Sequence, residues 1–316
     1  MKLPAFIVFL ILPVFCLCSE KVKLAFLSHD TLNCTENGIL MGANDYMQKA
    51  KVRFGKDFSA EIFPISENLP EQLKSLKSRG FSGAFVSLGA TPANMAAIPQ
   101  IDGFCTAFIN AKNNPKNALF TVACNAQIRD NLLIDFLKRR TNMRNFLLVH
   151  LFRADLPEAK SIDKAAAEEY AKPYFDGRQF GKICDTSEHS RFFAAKYFSQ
   201  LYENFSEQIA RMDNHGFVLY SPELLDDTSK VASDGDRKFA VSISISPMST
   251  ALMERGVLSA CIVDDYYGYG FLSAKVLLEK LCANLDPERD FVELPPTLYT
   301  KDSLNELKKL WLSWLR

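Results

Sequence analysis

From Lys21 onward, short apolar runs alternate with longer segments of helical period, and this beat constrains the fold more than any single motif. Such alternation is the pattern of parallel sheets with crossover helices. The first run is 22–28 (VKLAFLS), followed by a helix over about 36–51 with Ile39, Leu40, Ala43, Tyr46 and Met47 on one face. Then come a strand at 60–66, a helix over 70–80 closed by Gly80, a strand at 83–88, and a short helix begun by Thr91-Pro92. Thr91 suits an N-cap and Pro92 the first helical position. Strands at 104–110 and 118–124 complete about five, so the first half reads as doubly wound. After Asn125 a helix runs to about Arg140 and the beat restarts. Strands follow at 145–152, 180–185, 216–221, 239–246 and 258–265, with helices expected at 157–171, 190–205 and 247–256. A further helix opens near Tyr266, then come the run 291–300 (FVELPPTLYT) and a basic amphipathic tail. There is no internal repeat or low-complexity segment, so two similar α/β halves are the simplest account.

A chain of 316 residues, 48% of them hydrophobic, can bury one large core or two medium ones. Its 37 basic and 37 acidic residues cancel and form no long block of one sign, which argues against a nucleic-acid or polyanion partner. Residues 1–19 carry one lysine, an apolar run from Ala5 to Leu17 and small residues at Cys16, Cys18 and Ser19. That is the layout of a cleavable secretory signal peptide, so an exported protein is expected. A lipid anchor on Cys16 is less well supported, because bulky Phe15 stands where a small residue is expected. Of the remaining cysteines, Cys105, Cys124 and Cys261 lie in strand-like runs and are expected as buried thiols. The spacings of Cys34, Cys184 and Cys282 give no pairing. Asn33-Cys34-Thr35 and Asn204-Phe205-Ser206 match the N-glycosylation sequon, which matters only if the source glycosylates.

In open α/β sheets, ligands gather beyond the carboxyl ends of the strands. The candidates are therefore Ser28, His29, Asp30, Ser87, Asn110, Lys112, Asn125, Phe152, Arg153, Asp185, Ser221, Glu223, Ser246, Asp264 and Asp265. Enzymatic motifs are missing from this set. Gly268-Tyr-Gly270 precedes a helix, but Ser273 stands where a dinucleotide fingerprint needs its third glycine. Ser28-His29-Asp30 has the residue types of a hydrolase triad, yet consecutive residues point in diverging directions and no GxSxG occurs. His29, His150, His189 and His215 have no metal-ligand spacing, and neither Asp226-Asp227 nor Asp264-Asp265 lies in a DxDxDG loop. No cofactor and no metal are expected.

Four stretches together resemble the type I periplasmic solute-binding proteins, which share their fold with lactose-repressor-type ligand domains. They are Lys21–Ser28 with Gly42-Ala43, Ala118–Asn125 before a long helix, Leu258–Asp264 with Tyr266 and Gly268-Tyr-Gly270, and Leu294-Pro-Pro-Thr-Leu-Tyr-Thr-Lys301. The likeness spans about 21–303 and implies two doubly wound parallel-sheet lobes joined by a three-crossing hinge and closing on a small solute, most often a sugar. The implied lobes are 20–125 plus 265–292, and 126–264 plus 293–316. Implied ligand positions are Asn33, Asn110 or Lys112, Ser221, Ser246 and Asp264, with Phe152 and Tyr266 as apolar walls and Asn125 shaping the hinge. Thr35 and Glu36 replace an aromatic pair that often stacks on the sugar. Asp163 stands near an expected ligand-gripping arginine, leaving Arg153 or Lys160 as substitutes. The expectation is thus a monomeric, non-enzymatic protein that delivers a small polar solute to an ABC-type membrane permease, or presents its closed form to a sensor kinase or chemoreceptor.

Overall fold

A computed structural model describes residues 21–28, 34–88, 97–140, 146–152, 180–185, 214–219, 238–243, 245, 247–256 and 258–314. The signal-peptide segment and the helices expected at 91, 157–171 and 190–205 lie outside these residues. Two six-stranded sheets organise the chain. The first is built from β1 (Lys21–Ser28), β2 (Asp57–Pro64), β3 (Gly83–Ser87), β4 (Cys105–Ile109), β5 (Phe120–Cys124) and β11 (Phe291–Leu294). Its order is β2-β1-β3-β4-β5-β11, and every pair is parallel. The second contains β6 (Phe146–Phe152), β7 (Phe180–Asp185), β8 (Asn214–Leu219), β9 (Lys238–Ser242), β10 (Ala260–Val263) and β12 (Thr297–Thr300), in the order β7-β6-β8-β9-β10-β12. It is parallel except for β12, which runs antiparallel to β10.

The chain passes between the sheets three times. It leaves the first after Cys124 through α3 (Ala126–Arg140), returns after Val263 through α5 (Tyr266–Ala283), and leaves again at Pro295-Pro296. FVELPPTLYT reads as one extended run, but it is two strands in two sheets. Proline lacks the N–H that a ladder needs, so the pair interrupts pairing and redirects the chain. β12 then takes the edge of the second sheet beside β10 and runs antiparallel to it.

The first sheet is covered on both faces, as alternation along β1 requires. Leu24 and Phe26 enter one apolar cluster with Ile39, Ala43 and Met47 of α1 (Cys34–Phe54). Ala25 and Leu27 enter the other with Leu69, Leu73 and Leu76 of α2 (Leu69–Ser78). The Asn68 side chain accepts from the Glu71 N–H at 3.3 Å and caps α2, whose second residue is Pro70. Against the second sheet, Leu133 and Phe136 of α3 pack with Val241, Ile243, Ala260 and Ile262.

α1 and α5 lie against each other at backbone distance. A Cβ on Gly270 would overlap the Ile39 carbonyl and come within 3.0 Å of the Ala43 nitrogen, while one on Gly42 would overlap the Tyr267 carbonyl and sit 2.9 Å from the Phe271 nitrogen. Polar pairs flank this seam. The Tyr267 hydroxyl donates to Asp45 Oδ2 at 2.8 Å, and Tyr46 and Arg53 donate to Glu279 Oε1 at 3.1 and 2.7 Å. α6 (Leu304–Trp314), which follows β12, packs on α1 and on α4 (Pro247–Glu254). The Trp314 ring lies over Gly38 and edge-on to Tyr266, with centroids 5.8 Å apart. One apolar cluster therefore runs from Phe26 and Phe85 in the first sheet through Trp311 and Trp314 to Leu252, Met253 and Val263.

Gly270→Ala should destabilise the protein by about 3 kcal/mol, at the upper end of overpacking costs, because the neighbour is backbone and cannot rotate away. Denaturant unfolding would check this, with exposed Val52→Ser as a control expected to change stability by less than about 0.5 kcal/mol.

Candidate functional site

The carboxyl ends of β1, β3 and β4 are neighbours; β1 and β3 end in Ser28 and Ser87, and Asn110 directly follows β4. Leu27 pairs with Val86 and Ser87 with Ile109, so Ser28, Ser87 and Asn110 follow one another across three adjacent strands. All three are buried. Asn110 takes a left-handed φ of 61°, which asparagine tolerates better than most residues. The first turn of α1 brings Glu36 to the same sheet end. Glu36 is only 4% exposed, and the Ser87 hydroxyl donates to its Oε1 at 2.9 Å. A carboxylate in the first turn is favoured by the positive end of the helix dipole. Sequence reasoning placed Ser28, Ser87 and Asn110 at this end but took Glu36 only as a replaced aromatic. The available signal was an acid in the first turn of the helix after β1. Lys112, two residues past Asn110, is exposed at the rim.

A second polar group occupies the joint between the sheets. Asn125 caps α3 by accepting from the Ile128 N–H at 2.9 Å, donates to Glu293 Oε2 at 3.2 Å, and through its own N–H donates to the Leu294 carbonyl at 2.8 Å. It thereby ties the first crossing to the third. At the second crossing the two aspartates separate in role. Asp265 is the N-cap of α5, its Oδ1 accepting from the Gly268 N–H at 2.8 Å, and a Cβ on Gly268 would overlap the Asp265 carboxylate. The glycines of the GYG sequence thus clear a cap and a helix seam. Asp264 turns inward and is 5% exposed. Burial raises its pKa, an effect partly offset by hydrogen bonding to Cys124, by the buried Arg129 guanidinium and by the Tyr269 hydroxyl, while Asp265 adds to the rise.

Tyr266 is a core residue, 1% exposed and packed edge-on against both Tyr269 and Trp314, so its ring offers no open wall. Phe152 ends β6 in register with Asp185 of β7. Asn33, Arg153, Ser221 and Ser246 lie outside the described residues. The structure therefore brings Asn110 together with Ser28, Ser87 and Glu36, and sets Asp264 in the joint. Of the expected buried thiols, Cys124 and Cys261 are buried and Cys105 is half-buried, and burial pushes the Cys261 thiol up to about 12. Among the described residues, no three His, Cys, Asp or Glu side chains converge as metal ligands.

The raised pKa of Asp264 has a definite sign for stability. The folded state holds this proton more tightly than the unfolded chain, so stability falls as pH rises from the ordinary aspartate value of about 3.9 through the raised folded value. Asp264→Asn removes the ionisation, so its stability relative to the parent should increase over that window. Urea midpoints at pH 4, 6 and 8 measure this, and a pH-independent difference would contradict it.

No protein family and no curated protein sequence matches the chain. Solved structures match it over nearly its whole length at low identity. A periplasmic ribose ABC transporter from Conexibacter woesei aligns with 92% of this chain and 95% of its own, at a TM-score of 0.67 and 12% identity. A carbohydrate transporter solute-binding protein from Agrobacterium radiobacter, in complex with D-arabinose, aligns with 92% and 97% at 0.64 and 11%. A Caulobacter myo-inositol-binding protein bound to myo-inositol aligns with 92% and 96% at 0.62 and 12%. Two parallel-sheet units, three crossings and this likeness identify the fold as that of the type I periplasmic binding proteins.

Proposed function

We propose that the chain is an exported, non-enzymatic binding protein that captures a small polar solute, most simply a sugar or related polyol, and delivers it to an ABC-type membrane permease. The observation that carries this reading is the row of buried polar groups, Ser28, Ser87, Asn110 and Glu36, at the carboxyl ends of adjacent parallel strands. The ends of parallel strands are where open α/β sheets take ligands, and hydroxyl, amide and carboxylate groups are the types that exchange hydrogen bonds with a polar solute. The similar structures whose ligands are sugars or inositol support the same class.

In this reading the lobes are 20–125 plus 265–294 and 126–264 plus 295–316. We take the third boundary at Pro295, two residues beyond the sequence expectation, because Leu294 still pairs with Cys124 in the first sheet. Asn125, Asp264-Asp265 and Pro295-Pro296 form the hinge. A solute touching both lobes stabilises the closed arrangement by its differential affinity for that state. Phe152, Arg153, Ser221 and Ser246 are the contacts proposed from the second lobe, Asn33, Asn110 and Lys112 from the first. Asp264 acts in the hinge beside Arg129, where solute contact would require the joint to open.

A thermal-shift screen of the mature chain against D-ribose, D-arabinose, D-galactose, D-glucose, myo-inositol, nucleosides and amino acids tests the assignment. A bound probe at 100 times its Kd should add about 2.7 kcal/mol of stability, a rise of several degrees. Response to amino acids alone would overturn the sugar assignment and leave solute capture standing.

A further inference from the structure

We infer that Trp314 is a latch between the two lobes, which sets the apparent affinity for solute from outside the binding site and lets go when solute is captured. This inference rests on the solute-capture reading above and adds a control on it. The base of α6 is rooted in the second sheet. It follows β12, at the edge of that sheet, after one turn in which the Thr300 N–H donates to the Ser303 hydroxyl at 2.9 Å. Lys308 pairs with Glu254 of α4, the helix between β9 and β10 of the same sheet. The far end of α6 leaves it. The Trp314 ring lies over Gly38 of α1 and edge-on to Tyr266 of α5, two helices that cover the first sheet, and is only 3% exposed. By chain α6 belongs to the second sheet, and by contact to the first.

A change in the angle between the sheets carries the base of α6 with the second and slides Trp314 over the first. The contact therefore favours one angle over others. It is also incomplete. A buried tryptophan N–H usually finds an acceptor, yet Trp314 Nε1 is buried and has none among the described residues. An arrangement that brings the indole edge to water would give that donor a partner. The contact thus combines apolar packing that holds it with a polar group that favours release. When the binding-competent arrangement of a protein is only fractionally populated, its apparent affinity is reduced by that fraction. A latch that holds a different arrangement lowers the affinity, and loosening the latch raises it. A purely structural Trp314 makes another prediction, because its loss would lower stability and leave the Kd unchanged.

Gly38→Ala supplies a wedge for the test. Its methyl group would sit 2.9, 3.1 and 3.2 Å from three atoms of the Trp314 ring and so displaces the ring, while alanine suits the α1 helix better than glycine. The probes are D-ribose, D-arabinose, D-galactose, D-glucose and myo-inositol, titrated by calorimetry into the mature full chain. For a probe that binds the parent, Gly38→Ala should lower the Kd about threefold to tenfold, as a modest rise in the competent fraction requires. Trp314→Leu should shift the Kd in the same direction, and it decides the matter if Gly38→Ala does not fold. Leu312→Ser, on the exposed side of α6, should leave the Kd unchanged. Trp311→Phe makes Trp314 the only tryptophan in the chain. Its emission should then move to the red when the same probe saturates the protein, because release brings the indole to water. Unchanged or weaker binding in both wedge and leucine variants, or an emission that the saturating probe leaves in place, would overturn the latch while solute capture stands. If none of the five probes binds the parent, the inference falls. Response to another compound in the thermal-shift screen would then leave solute capture standing, whereas silence there too would remove both.

Discussion

The close approach of α1 and α5 is the constraint on which the rest of the structure depends. Two helix backbones can meet at this distance only where side chains are missing, and Gly42 and Gly270 provide the gaps on opposite partners. The contact is long-range in sequence, joining the helix after β1 to the helix after β10. It returns the chain to the first sheet after the whole of the second has been built. Without it α5 could not lie over β4 and β5, β11 would not reach the edge beside β5, and the third crossing would have no starting point. Tyr46, Arg53 and Tyr267 satisfy the rim of the seam with hydrogen bonds to Glu279 and Asp45.

A second consequence follows from α6. It emerges from the second sheet, yet Trp314 covers Gly38 of α1 and abuts Tyr266 of α5. The apolar interior is thus continuous behind the crossings, while the polar strand ends of the first sheet lie elsewhere, beneath the start of α1. Any change in the angle between the sheets has to move Trp311 and Trp314 against that surface. Packed interiors switch between discrete arrangements more readily than they deform gradually. The buried carboxylate of Asp264, set among Cys124, Arg129 and Tyr269, lies in the same joint and adds an electrostatic term to its geometry.

Much of the architecture was legible because apolar periodicity is a local property. β1, β3, β4, β5, β7 and α3 fall within a residue or two of the ranges read from hydrophobic pattern and turn residues. What the local pattern leaves open is equally physical. FVELPPTLYT looks continuous because extended backbone on either side of a proline pair has the same local pattern, whichever sheet each half joins. Asp264-Asp265 looks like one acidic pair, yet the start of α5 turns one side chain to a cap and buries the other. Tyr266 looks like a cleft aromatic because it stands at a strand-to-helix junction, and it is core because Trp314, almost fifty residues later, closes over it.

Sequence by itself determined the α/β class, the two-part beat and the positions of the polar strand ends, because hydrophobic periodicity and turn chemistry act over a few residues. Only the tertiary structure decided that Glu36 joins Ser87 across 51 positions, that Gly42 meets the Tyr267 carbonyl and Gly270 the Ile39 carbonyl, and that Asp264 is enclosed with Arg129. These are meetings between distant segments, and the register of the sheets and the packing of helices on them set which side chains meet.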